Sequence, residues 1–189
     1  GIGLDLVQFV PLDDPVKVSV LTIENRSGRA RNLSVTAYVE WALGTSRGAS
    51  APRIITALDP ETGAFLVRNP WNTEFGGRVA FLDMGGRQNA CTADRTEFLG
   101  RNGAPDRPAA LDRGHRLQST VGAGLDPCGV LQTTLRLANG ERTQVVILLG
   151  EADDAAAAVD LIRCRRRADH QAALGDVTSF WEDTQGTIQ

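Results

Sequence analysis

Between Asp94 and Gly103 the chain reads Asp-Arg-Thr-Glu-Phe-Leu-Gly-Arg-Asn-Gly. This puts the carboxylates of Asp94 and Glu97 and the guanidiniums of Arg95 and Arg101 into one glycine-bearing segment. A guanidinium presents a planar fork of donors suited to sugar hydroxyls, carboxylates or phosphate. Two roles fit such a segment: contact with a substrate or neighbouring domain, or internal ion pairing that holds a long loop in shape. Of the tryptophans, Trp71 in Asn69-Pro70-Trp71-Asn72 is the candidate for an exposed contact with a sugar ring. Trp41 falls on the apolar face of a strand and reads as core. Arg95, Glu97, Arg101 and Trp71 are therefore the candidate binding residues.

Other polar groups carry less. His115 and His170 are isolated from each other and from any triad or metal-ligand spacing. Gly122-Ala123-Gly124-Leu125-Asp126-Pro127-Cys128 has no phosphate-loop lysine and reads as a turn back into a sheet. Asn25-Arg26-Ser27 matches a glycosylation sequon, which only a secreted protein would use. The basic run Arg163-Cys164-Arg165-Arg166-Arg167 suits a helix C-terminus, where cations complement the dipole. No catalytic residue, metal ligand or cofactor is assigned.

The elements that must position these groups read mainly as strands. Val16 to Glu24 is rich in β-branched residues. From Leu33 to Leu43 apolar and polar residues alternate, with Leu33, Val35, Ala37, Val39 and Trp41 on one face. Shorter strands are expected at Ala64 to Arg68 and Arg78 to Leu82, and further ones at Leu131 to Leu137 and Thr143 to Leu149. The polar stretch after Glu24 and the Asn139-Gly140 pair both read as hairpin connections, which pairs Val16–Glu24 with Leu33–Leu43 and Leu131–Leu137 with Thr143–Leu149. Short turns without intervening helices point to antiparallel sheets packed as a β-sandwich. Gly85 to Gly129 shows little pattern and is expected to be a long ordered loop anchored by Phe98, Leu99 and Leu111.

After Asp153 the periodicity changes. Ala156, Val159, Leu161 and Ile162 mark a helix over Asp153 to Arg166, capped by Asp153 or Asp154. A second helix, about His170 to Asp183, carries Leu174, Val177, Phe180 and Trp181. The expected organisation is a β-sandwich over residues 1–152 and a helical segment over 153–189.

Bulk properties narrow the partners. At 189 residues, 42% hydrophobic and 23% charged, the chain can bury a core without disulfides or metal. A net charge of −3 gives no footprint for nucleic acid. Cys91, Cys128 and Cys164 are widely spaced and form no C-x-x-C pair, as reduced thiols in the cytoplasm would. The chain opens Gly1-Ile2-Gly3-Leu4 without an initiator Met, as a segment of a longer protein would, and any inner-membrane anchor of a parent is expected outside it.

Several segments, in series, resemble one family: Leu21 to Gly44, Phe65 to Asp83, Asp94 to Gly103, Pro108 to Arg113, Gly122 to Gln132 and Leu137 to Ala152. Together they are similar to the β-sandwich domain of glycoside hydrolase family 94. That family holds cellobiose and chitobiose phosphorylases and the phosphorylase-like region of cyclic β-1,2-glucan synthases, whose wording these segments follow most. The resemblance implies a galactose-mutarotase-like supersandwich with further strands upstream of Gly1, followed by helices leading to an (α/α)6 barrel. It also implies that the general acid lies in that barrel, with inorganic phosphate as co-substrate of the full-length parent.

The expected function is an accessory, substrate-shaping domain of a β-glucan phosphorylase or cyclic β-1,2-glucan synthase. The alternatives are a free-standing carbohydrate-binding module and a structural dimerisation domain. The implied partners are a β-glucan or oligosaccharide and the parent's barrel, with room for a homodimer. The resemblance further implies that the Asp94 to Gly103 loop lies near the barrel, with Arg95 and Arg101 as contacts.

Overall fold

The computed structural model describes residues 1–112 and 115–186. Arg113, at the end of the Pro108 to Arg113 segment, and the last three residues of the expected helical segment lie outside the described residues. Among the described residues nine strands run β1 (Ile2–Phe9), β2 (Val16–Asn25), β3 (Arg31–Glu40), β4 (Ile55–Leu58), β5 (Phe65–Arg68), β6 (Val79–Asp83), β7 (Ala90–Asp94), β8 (Pro127–Leu137) and β9 (Arg142–Ala152). The α-helices among the described residues are α1 (Arg47–Ser50), α2 (Arg95–Leu99), α3 (Ala155–Arg167) and α4 (His170–Gly186). Short 3-10 turns cover Ala51–Arg53 and Ala109–Leu111.

The strands form two antiparallel sheets. One has six strands in the order β1-β2-β9-β6-β5-β4, and the other three in the order β3-β8-β7. The antiparallel sandwich with C-terminal helices expected from the sequence is thus present.

Both hairpins expected from the sequence are corrected. β2 pairs with β1 and β9, and β3 pairs with β8. β8 and β9 likewise follow each other in sequence but lie in different sheets. Each connection is an arch that crosses the core. A hairpin would leave the apolar face of β3 in the same layer as that of β2. The arch instead folds Val35, Ala37 and the following Trp41 onto Ile23 and Val145. Burial, rather than turn chemistry, decides between the two.

Asn25 joins the two arches. It has no exposed surface. Its Nδ2 donates to the carbonyls of Arg29 (2.8 Å), Leu137 (3.0 Å) and Ala138 (3.0 Å). Its Oδ1 accepts from the Ser27 amide and hydroxyl. Its backbone accepts from Gly140 and donates to Glu141. The carboxamide therefore satisfies polar groups from both crossings. A side chain so enclosed is no glycan acceptor in the folded chain, whatever its sequon.

The second core lies on the outer face of the six-stranded sheet. Val16, Val18, Phe81 and Leu148 pack there against Ala158 and Ile162 of α3. Asp154 caps α3 through the Ala157 amide, as its position in the sequence suggests. Arg166 closes the contact: its Nε and Nη2 reach the Asp83 carboxylate at 3.0 and 2.6 Å, and Nη2 also donates to the Thr62 carbonyl. The Asp83 side chain is wholly buried, so this pair is a fixed anchor rather than a surface bridge. The first helix after residue 152 thus contributes to the core. α4 is held more lightly, through half-buried Ala173, Leu174 and Val177. Among the described residues, no helix is long and apolar enough to cross a membrane.

Asn25→Ala removes the donor shared by the Arg29, Leu137 and Ala138 carbonyls and the acceptor of the Ser27 amide and hydroxyl, while Ser27 Oγ still reaches the Arg29 carbonyl and the Glu141 amide that of Ala138. The expected loss is roughly 2–4 kcal/mol of unfolding free energy by urea titration. A loss under about 1 kcal/mol would show that the arches hold without it.

Candidate functional site

Antiparallel pairing sorts the strand ends. Asn25, the start of β3, the end of β8 and the start of β9 meet at one pole of the sandwich. At the other, β3 ends, β8 begins and β7 ends, since Glu40 faces Cys128 and Asp94 faces Pro127. The end of β5 and the start of β6 share this second pole, and the Asn69 carboxamide ties them to it by donating to the Leu43 carbonyl at 2.7 Å. The structure therefore brings all four sequence candidates to a single pole: Trp71 on the loop after β5, and Arg95, Glu97 and Arg101 on the segment after β7.

At the centre of this pole four charged side chains form a closed alternating ring. Arg95 Nε donates to Glu40 Oε1 at 2.8 Å, and Arg47 Nε lies 2.9 Å from Glu40 Oε2. Arg47 also pairs with Asp126, whose Oδ2 lies 3.8 Å from Arg95 Nη1. Tyr38 donates its hydroxyl to Glu40. This hydrogen bond, followed by that of Arg95, holds the Glu40 carboxyl below its ordinary value of 4.5. Burial, then the hydrogen bond to Glu40, pushes the Tyr38 phenol up. The ring joins β3, α1, α2 and the start of β8. Sequence reasoning missed Glu40, Arg47 and Asp126, for no local pattern links residues this far apart.

Glu97 has no free oxygen to offer. Oε2 accepts from the Thr92 hydroxyl at 2.5 Å and Oε1 from the Gln118 amide at 2.6 Å. Asp94 caps α2 through the Thr96 amide. Phe98 and Leu99 sink into a third core with Ala110, Cys128 and Val130, and the Tyr38 ring stands 5.0 Å from that of Phe98. Leu111, expected as an anchor, is half exposed. The loop turns back at Gly103, where a Cβ would lie 1.7 Å from the Leu99 carbonyl oxygen. Only glycine fits that turn. Burial, then the charges of Asp94 and Asp126, pushes the Cys128 thiol up to about 12, so it stays protonated and inert.

Arg101 and Trp71 differ from these anchored groups. Arg101 is exposed and makes no hydrogen bond or ion pair with any described residue. Trp71 is 72% exposed, with the Arg53 guanidinium 6.0 Å from its ring centroid. Arg95 and Glu97 thus position the pole, while Arg101 and Trp71 project from it. Among the described residues, no group of His, Cys, Asp and Glu is arranged to hold a metal ion.

A lopsided pair of antiparallel sheets, with a helix closing the outer face of the larger one, defines the chain as a β-supersandwich. The family model "Glycosyl hydrolase 94, supersandwich domain" matches residues 1–167, and the chain belongs to that family. It is 34% identical over 175 residues to the cyclic beta-(1,2)-glucan synthase NdvB of Rhizobium meliloti (strain 1021), which covers 93% of this chain and 6% of the relative. It is 28% identical over 195 residues to a solabiose phosphorylase of Paenibacillus borealis, covering 97% of this chain and 25% of the relative. The chain therefore spans a small part of the length of the relatives it matches. A structure described as a putative kojibiose phosphorylase from human microbiome shares the fold, with a TM-score of 0.56 at 6% identity over 96% of this chain and 21% of that one.

Two stability measurements separate the anchored from the projecting groups. Arg95→Ala should cost about 1 kcal/mol and Arg101→Ala less than about 0.5 kcal/mol. Equal costs would contradict the division. The ring should also make the fold sensitive to acid. Glu40 has a depressed pKa in the folded state, so its contribution is complete above 4.5 and is lost as pH falls through the lower folded value. Glu40→Gln should therefore flatten the fall in melting temperature between about pH 5 and pH 3. An unchanged profile would remove the ring from the acid response.

Proposed function

We propose that the chain is an accessory domain of a β-glucan phosphorylase or cyclic β-1,2-glucan synthase, shaping the substrate site of a neighbouring catalytic region without a catalytic centre of its own. The observation that carries this reading is the pole itself. Its ion ring, glycine turn and third core anchor the segment after β7, and Asn69 and Asn72 anchor the loop after β5, yet Arg101 and Trp71 are left unburied on them. Anchored loops that present a guanidinium without a partner among the described residues and an exposed indole suit contact with a sugar chain or a partner surface.

The carboxylates of this pole support the accessory role. Glycoside cleavage needs an acid at the leaving oxygen and a second group on the opposite face of the sugar. Glu40 and Asp126 are held by arginines, and Glu97 by Thr92 and Gln118. These three are committed to the frame of the pole; Glu74 lines the neighbouring cleft without a side-chain partner among the described residues, and a single carboxylate does not supply both groups. The isolated chain is therefore expected to turn over neither sophorose nor cellobiose with phosphate, as measured by sugar phosphate release.

The test of the reading uses the domain joined to its catalytic region. Losing a charged contact with bound substrate costs roughly 2–5 kcal/mol where the pair is buried. Arg101→Ala and Trp71→Ala should each lower kcat/KM by about tenfold or more, with the melting temperature unchanged. Folded variants with normal kinetics would overturn the reading.

A further inference from the structure

A cleft of about 510 Å³ opens beside the Asn69 loop. Its walls are the turn after β3, the loop over residues 69–75, and the facing ends of β6 and β9. We propose that this cleft is a binding site for a neutral, polyhydroxylated ligand, a short stretch of glucan chain. This deepens the proposed function and rests on it for the choice of sugar.

The walls are preorganised. Asn72 Oδ1 accepts from the Glu74 and Phe75 amides, both at 3.0 Å, and fixes the tip of the loop. The Asn69 carboxamide holds the loop base to Leu43. Across the cleft, Arg78 Nη2 sits 3.0 Å from Glu151 and 3.6 Å from Asp153. The side chain is 37% exposed and both of these ion pairs use Nη2, so the guanidinium presents a charged edge to the cleft. A ligand entering such a site meets walls already fixed by internal bonds and has little loop ordering to offset.

The free groups select the ligand class. The Thr45 and Thr73 hydroxyls and the Glu74 carboxylate line the cleft and have no side-chain partner among the described residues. The Phe75 ring, 50% exposed, gives it an apolar face. A pyranose presents C–H groups to an aromatic ring and hydroxyls to carboxylates, hydroxyls and guanidiniums. Glu74, Glu151 and Asp153 outnumber Arg78, so an anion such as phosphate is repelled. The volume lies within the range of small-molecule sites and holds about one or two sugar rings.

The test is direct binding to the 189-residue chain, with a β-1,2-linked glucose tetrasaccharide as probe, followed by calorimetry and amide chemical shifts. Saturable shifts at Thr45 and residues 72–78 are expected. Phe75→Ala should weaken binding by about tenfold and Glu74→Gln by about threefold or more. Arg136→Ala, exposed near the end of β8 at the opposite pole, should bind as the unaltered chain does, and inorganic phosphate should not compete. The cleft is ruled out if the folded chain shows no saturable shifts there, if Phe75→Ala binds normally, or if phosphate displaces the sugar. The outcome separates from that of the proposed function. Loss of kinetics in Arg101→Ala with no sugar binding here removes the cleft alone. Sugar binding here with normal Arg101→Ala kinetics removes the loop-tip role alone.

Discussion

The buried carboxamide of Asn25 is the point on which the sandwich turns. Two chain segments leave the six-stranded sheet and return to it at the same pole, one before β3 and one after β8. Each crossing breaks the ladder and leaves backbone carbonyls around the buried Asn25 side chain, that of Leu137 fully enclosed and those of Arg29 and Ala138 nearer the surface. One side chain with two donors and an acceptor serves both, reaching Arg29, Leu137, Ala138 and Ser27. Buried polar groups without partners cost about 1–3 kcal/mol each, so the crossings depend on this residue or on a rearrangement around it. Because both arches are fixed there, the apolar faces of β3 and β8 must lie against those of β2 and β9.

With that pole closed, the opposite one is left to carry loops. The ring of Glu40, Arg47, Asp126 and Arg95 joins them, at side-chain exposures of 27 to 35%. Ion pairs so near to water add little stability singly. As a closed ring they fix geometry, setting where α2 begins and hence where Arg101 projects. The same pole holds the cleft beside Phe75, so an anchored frame, two projecting side chains and a concave surface share one end of the domain.

The alternation from Leu33 to Trp41 showed a half-buried strand, and Asp154 with the Ala-rich run showed α3. The pairing was not visible, because an Asn-Gly turn serves an arch as well as a hairpin and only the core tells them apart. β7 was hidden for another reason: Ala90-Cys91-Thr92-Ala93-Asp94 has weak strand propensity and becomes a strand by pairing with β8. Asn25 was legible only as a sequon, since nothing local marks an asparagine as buried. The charged segment at Asp94 was found from composition, but its structural share was not. Glu40 lies 55 residues before Arg95, and Asp126 lies 79 after Arg47. Series resemblance identified the family because it draws on order along the whole chain, a signal that no single motif carries.

On the proposed reading, one pole of this domain faces a neighbouring catalytic region and the Asn25 pole does not. Amide hydrogen exchange, compared between the isolated chain and the same chain joined to that region, tests it most directly. The account predicts added protection at residues 69–76 and 100–107, with residues 26–30 and 138–141 exchanging as before. Added protection at the Asn25 pole, or none at either, would contradict it.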